Sequence, residues 1–149
     1  MAEIKVMVVD DSPFMRRVIS DIINRESDMK VVATARNGEE ALLTAKRVAP
    51  DVITMDVEMP VMDGLEALQR IMNDNPQPVI MLSSLTKQGA DATVKALHLG
   101  AVDFITKPSG TFTPDINEVA KDIVKKIRIA ALARDKLRVT QVKVEKRIK

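Results

Sequence analysis

Two adjacent aspartates, Asp10 and Asp11, follow the apolar run Val6–Val9; a third, Asp56, follows Val52–Met55; and Lys107 comes just after Val102–Ile105. Carboxylates gathered in one place repel one another unless a cation joins them. An oxygen-only cluster of this kind suits a hard divalent metal. The ammonium of Lys107 has no task in a metal site alone, so the set points to a cation that works together with an anionic species. Each residue also has a plainer reading. Asp10 or Asp11 could cap the helix that begins at Ser12-Pro13, Asp56 could belong to a turn ending at Asp63-Gly64, and Lys107 could be an ordinary surface lysine. The plain readings weaken together, because all four groups fall after the first, third and fifth apolar runs.

Those runs read as strands. Ile4–Val9, Lys30–Ala35, Asp51–Met55, Pro78–Leu82 and Ala101–Ile105 are short, apolar and bounded by turn residues, as buried parallel strands are. Between them the apolar spacing changes to three and four. Met15, Val18, Ile19, Ile22 and Ile23 mark a first helix, Ala41, Leu42, Ala45 and Val48 a second, and Leu65, Leu68, Ile71 and Met72 a third. A weaker fourth follows Gln88. The stripe Ile116, Val119, Ala120, Ile123, Val124, Ile127, Ala130 and Ala131 marks the last. Ser12-Pro13 and Asn37-Gly38 open helices, Pro50 closes the second and Gly100 the fourth. Five βα units imply an α/β fold, a doubly wound five-stranded parallel sheet of flavodoxin-like order 2-1-3-4-5. In that order strands one, three and five bring their carboxyl ends to one crevice.

The chain has 149 residues, 46% hydrophobic content and a net charge of +2. This suits one globular domain, residues 1–134, followed by a basic helix end or interdomain linker, 135–149, where the helical stripe weakens. Residues 135–149 carry six Lys/Arg against two Asp/Glu, so the basic balance comes from the tail. A charge run of this kind is ordinarily a solvated linker. With no Trp or Tyr and three Phe, neither base-stacking surfaces nor a nucleic-acid partner is expected. The absence of cysteine removes thiolate ligands and disulfides. No apolar stretch is long enough to span a bilayer and no signal-peptide pattern opens the chain, so the expectation is a cytoplasmic protein without membrane insertion. The nine methionines read as packing, and His98 as a surface or partly buried structural residue.

Val8-Val9-Asp10-Asp11-Ser12, Met55-Asp56-Val57-Glu58-Met59-Pro60 through Met62-Asp63-Gly64, Ser83-Ser84 and Phe104-Ile105-Thr106-Lys107-Pro108 resemble the receiver domain of bacterial response regulators over roughly residues 4–130. Asp56-Val57-Glu58-Met59-Pro60, Ser83-Ser84-Leu85-Thr86 and Gly100-Ala101-Val102-Asp103-Phe104 are most similar to the receivers of chemotaxis methylesterase regulators. The resemblance implies the CheY-like (βα)5 fold and a phosphorelay. It makes Asp56 the phosphoacceptor for a histidine kinase of the chemotaxis type. Mg²⁺ (or Mn²⁺) would sit on Asp11, Asp56 and the backbone carbonyl of Glu58, with Asp10 acting directly or through water. Lys107 would pair with the phosphoryl oxygens. Ser83 would be the switch hydroxyl, although a helix N-cap is its plain reading. Phe104 would be the aromatic switch partner, although composition alone makes it core. A cis Lys107-Pro108 bond is also implied, although trans is the commoner state of an X-Pro bond.

The implied output is a methylesterase effector, its own or separate, acting in the chemoreceptor methylation system. The chemistry implied for residues 1–149 is gain and loss of a phosphoryl group at Asp56. No G-x-S-x-G and one histidine leave ester hydrolysis without a catalytic set here. A stand-alone signalling receiver and the receiver of a DNA-binding regulator are the alternatives; a flavin or nucleotide site is disfavoured, because Asp-Asp-Ser-Pro after the first strand would repel phosphate.

Overall fold

A computed structural model describes residues 3–83, 87–107 and 116–148, with their side chains except for Lys87 and residues 135–148. Strands and helices alternate in the order β1 (Ile4–Val9), α1 (Pro13–Asn24), β2 (Met29–Ala35), α2 (Gly38–Val48), β3 (Val52–Asp56), α3 (Gly64–Asp74), β4 (Val79–Ser83), α4 (Lys87–His98), β5 (Asp103–Thr106) and α5 (Ile116–Ile148). All strand pairs are parallel, in the order β2-β1-β3-β4-β5. This is the doubly wound sheet expected from the alternation.

Both faces of the sheet are covered, which is why its strands read as unbroken apolar runs. Val6, Val8, Val52, Ile80, Leu82 and Ile105 pack with Ile19, Ile22 and Ile23 of α1 and with Ile123, Val124 and Ile127 of α5. Met7, Val9, Ile53, Met55, Val79 and Met81 face the other way, onto Ala41 and Ala45 of α2, Ala67, Leu68 and Ile71 of α3, and Ala96 of α4. Alternate residues of each strand thus feed different cores. Each fully buried aliphatic side chain contributes about 1.5–3 kcal/mol. A dozen such side chains easily offset a site that leaves a buried oxygen unpaired, which costs about 1–3 kcal/mol.

Strand ends differ from the sequence expectation where the site begins. Asp56 and Ser83 are the last residues of β3 and β4. Asp56 pairs with Leu82, and Ser83 with Thr106. Backbone pairing outlasts the apolar run by one residue in both strands. β5 begins at Asp103, where pairing with Ile80 starts.

The last helix continues past its apolar stripe: the backbone stays helical through Ile148. Residues 135–148 contain neither Gly nor Pro and carry five Lys/Arg with one each of Leu, Gln and Glu, residues that favour helix whether or not a partner covers them. At the point where the stripe weakens, Arg134 Nη1 lies 2.8 Å from Asp51 Oδ1, and the other oxygen of Asp51 accepts the Lys5 N–H at 2.9 Å. No helix among the described residues is long and apolar enough to cross a membrane.

Candidate functional site

The turn after β1 separates capping from chemistry. Ser12, not an aspartate, caps α1: its Oγ accepts the Met15 N–H at 3.2 Å, and Pro13 supplies the first helical position. Asp10 is completely buried. Its Oδ1 accepts the Ser12 N–H at 2.9 Å, and Arg16 Nη1 donates to its backbone carbonyl at 2.7 Å. Asp11 stands exposed at the rim.

Asp56 is 4% exposed. Its Oδ2 accepts from Lys107 Nζ at 2.8 Å, and the Glu58 N–H reaches Oδ1 at 3.4 Å. Lys107 is placed by its own backbone, whose N–H donates to the Ser83 carbonyl at 2.8 Å. The same ammonium lies 3.1 Å from Asp10 Oδ2. That contact is an ion pair without hydrogen-bond geometry, and Asp10 Oδ2 remains a buried oxygen with no hydrogen-bond partner. Asp10, Asp11 and Asp56 each offer an oxygen within 4.8 Å of the others.

Three carboxylates facing one ammonium leave two negative charges uncompensated when all are ionised. Asp56 responds: burial pushes its carboxyl up to about 6, against the pull of the Lys107 hydrogen bond and charge, with the nearby Asp10 charge adding to the rise. Burial alone would lower the Lys107 ammonium, but Asp56 and Asp10 outweigh it and hold it above its ordinary value. The buried Asp10 oxygen met only by the Lys107 ion pair, the exposed Asp11 and the all-oxygen donor set fit a divalent cation such as Mg²⁺. The cleft over these groups has a volume of about 450 Å³ and is also lined by Val57, Glu58, Met59, Pro60, Ser83 and Gly89.

The structure therefore brings Asp11, Asp56, Glu58, Ser83 and Lys107 to one cleft, with the buried Asp10 beside Lys107 and within 4.8 Å of the other two carboxylates. Ser83 is buried, and its Oγ lies 3.1 Å from Thr93 Oγ1 of α4. Phe104 is not core: it is 38% exposed and faces outward from the edge strand β5. Lys126 of α5 covers it, with Nζ 5.3 Å from the ring centroid and donating to the Phe104 carbonyl. Phe104 lies in an apolar run, but only one face of that edge strand is fully packed. His98 is exposed on α4. The Lys107-Pro108 bond and residues 84–86 lie outside the described residues.

Other site residues escaped the sequence reading. Asp63-Gly64 is not merely a turn: Asp63 caps α3 by accepting the Glu66 N–H at 2.9 Å, and Gly64 donates to the Val57 carbonyl at 2.8 Å. A Cβ on Gly64 would stand 2.1 Å from the Asp56 carbonyl oxygen. Only glycine lets α3 approach the site strand so closely. Arg16 and Thr93 were also missed. The available signal for Thr93 was a hydroxyl on the buried face of α4, one turn after Gly89 and three residues before Ala96.

The family model for the response regulator receiver domain matches residues 6–113. The chain is 52% identical over 136 residues to a protein-glutamate methylesterase/protein-glutamine glutaminase of Oceanobacillus iheyensis, covering 91% of this chain and 39% of that protein. It is 55% identical over 135 residues to the protein of the same name from Caldanaerobacter subterraneus subsp. tengcongensis, covering 91% and 37%. The chain thus spans about two fifths of these relatives' length. Among solved structures, the response regulator domain of Thermotoga maritima CheB superposes with a TM-score of 0.79 at 53% identity, covering 87% of this chain and 96% of that one. The signal receiver domain of NarL from Mycobacterium tuberculosis superposes with a TM-score of 0.71 at 27% identity, covering 86% and 98%.

Proposed function

The chain belongs to the response regulator receiver family, and from that premise we propose that it accepts a phosphoryl group on Asp56 from a histidine kinase of the chemotaxis type. The observation that carries the reading is the pairing of a buried strand-end carboxylate with Lys107 at 2.8 Å beside two further aspartates. A simple anion site would have no use for the carboxylates, and a simple cation site none for the lysine.

In the transfer, a carboxylate oxygen of Asp56 attacks phosphorus, an O–P bond forms, and the N–P bond of the phosphohistidine breaks with its electrons leaving on the imidazole. The transition state is loose, with charge on the equatorial oxygens, so positioning and charge neutralisation are the protein's task. Asp11 and Asp56, the Glu58 backbone carbonyl, and Asp10 directly or through water would hold Mg²⁺ (or Mn²⁺), whose chemistry is neutralisation of the phosphoryl oxygens. Lys107 exchanges its hydrogen bond to Asp56 for one to the arriving phosphoryl group. Ser83 serves as the switch hydroxyl, and Phe104 on β5 as part of the surface that responds.

The output we propose is control of a methylesterase effector acting on glutamyl sites of chemoreceptors. Support comes from relatives of that name at 52% and 55% identity, against 27% for the NarL receiver. In the unphosphorylated state the receiver would cover the esterase active site, and phosphorylation would release it. Residues 1–134 form the receiver in this reading, and the basic stretch 135–149 leads toward the effector.

Mass spectrometry after incubation with acetyl phosphate and Mg²⁺ tests the site. The expected result is one phosphoryl adduct, absent without the cation and absent in Asp56→Asn. An adduct that persists in Asp56→Asn would refute the assignment.

A further inference from the structure

Helix α4 and the end of β4 are joined by a short chain of hydroxyls. Thr93 Oγ1 donates to the Gly89 carbonyl, one turn back in the helix, at 2.9 Å. A hydroxyl carries one proton. With that proton committed to Gly89, Thr93 can only accept at its 3.1 Å contact with Ser83, so Ser83 is the donor there. Ser83 and Thr93 are 6% and 7% exposed, so water is a poor substitute for either partner. Ser83 and Gly89 both line the cleft over Asp56.

We propose that Thr93 is a positioning residue that holds the Ser83 proton on α4, so that a phosphoryl group on Asp56 and helix α4 compete for a single hydrogen-bond donor. This inference rests on the reading of Asp56 as phosphoacceptor. A phosphoryl group brings about −1.5 to −2 charges and three acceptor oxygens to the cleft. For Ser83 to serve one of them, its hydroxyl must leave Thr93, whose oxygen is then buried without a donor. The bond is a toll on phosphoryl retention, paid each time Ser83 turns. The coupling is reciprocal: whatever draws α4 away from β4 frees Ser83 and favours the phosphoryl-bound state to the same degree.

Beryllium fluoride with Mg²⁺, a tetrahedral phosphoryl mimic that adds to carboxylates, is the probe. Its affinity is measured for the full chain and for Thr93→Val, Thr93→Ser, Ser83→Ala and the Ser83→Ala/Thr93→Val double variant. Valine keeps the shape of threonine and removes the acceptor, so Thr93→Val is expected to bind roughly threefold to tenfold tighter. Thr93→Ser restores the bond and is expected within about twofold of the parent. In the Ser83→Ala background the valine substitution is expected to change nothing, and Mg²⁺ affinity without beryllium fluoride is expected to stay the same in Thr93→Val. A general loosening of α4 would not vanish in the Ser83→Ala background. Thr93→Val binding no tighter than the parent, or a gain that survives without the Ser83 hydroxyl, overturns the proposal. Beryllium fluoride binding that requires Asp56 but ignores Thr93 overturns this role alone. Binding that is undiminished in Asp56→Asn, or absent from the parent chain, overturns the phosphoacceptor reading and this inference with it.

Discussion

Removing the Asp56 charge is expected to stabilise the metal-free protein, and the gain is expected to depend on pH in one direction. Burial raises the Asp56 carboxyl from 3.8 to about 6. The folded state therefore binds its proton more tightly than the unfolded chain does. The stability this group contributes is complete below about pH 4 and is lost as the pH rises through about 6. At about 1.36 kcal/mol per pKa unit the shift corresponds to about 3 kcal/mol. Solvent screening through the open cleft reduces this, and about 2 kcal/mol is the working figure. Asp56→Asn does not titrate. Urea unfolding of the two proteins with chelator present, from about pH 4 to about pH 8, should show the variant's advantage growing by about 2 kcal/mol with rising pH. Adding Mg²⁺ at about 100 times its dissociation constant should return about 2.7 kcal/mol to the parent and less to the variant, closing the gap. A difference between the two that is flat with pH, or that grows on acidification, would mean that the charge of Asp56 is not the uncompensated one.

Two further outcomes follow from the same geometry. Lys107→Ala removes a cation already bonded to Asp56 and facing Asp10, so calorimetry should find Mg²⁺ bound roughly threefold to tenfold more tightly while acetyl phosphate labels Asp56 more slowly; weaker Mg²⁺ binding would show that the ammonium organises the carboxylates instead of competing for them. Gly64→Ala places a Cβ 2.1 Å from the Asp56 carbonyl oxygen, and since backbone rather than a flexible side chain must yield, a loss of about 2–3 kcal/mol in urea unfolding is expected; a loss under about 0.5 kcal/mol would show that α3 can shift freely.

What could be read before the structure was whatever depends on local pattern. Apolar runs at Val6–Val9 and Val52–Met55 signal strands because both sheet faces are covered, and Ser12-Pro13 and Asn37-Gly38 signal helix starts because caps are local chemistry. The cluster at Asp10, Asp11, Asp56 and Lys107 was legible because strand ends in this topology converge. Contacts made only in three dimensions were not. Nothing near Gly64 in sequence announces the Asp56 carbonyl against it, and the hydrogen bond between Ser83 and Thr93 joins β4 to α4. Phe104 misled because an edge strand can look as apolar as a central one. The reach of α5, left open between a helix end and a linker, was not legible for a different reason: apolar periodicity reports what a helix packs against, not how far it runs.

That helix has a mechanical meaning. From Ile116 to Ile148 it is 33 residues without a break, a rod of roughly 50 Å. Arg128 fastens it to Glu26 and Asp28 near one end of the sheet, and Arg134 to Asp51 at the place where the core stops. Beyond that fastening, the rod carries angular phase. One residue inserted or deleted past Arg134 would turn everything attached further on by about 100° and move it by about 1.5 Å. Seven residues would come within about 20° of the original bearing and change mainly the reach, so the direction in which the far end of α5 points is written in the count of residues along it as much as in their identity.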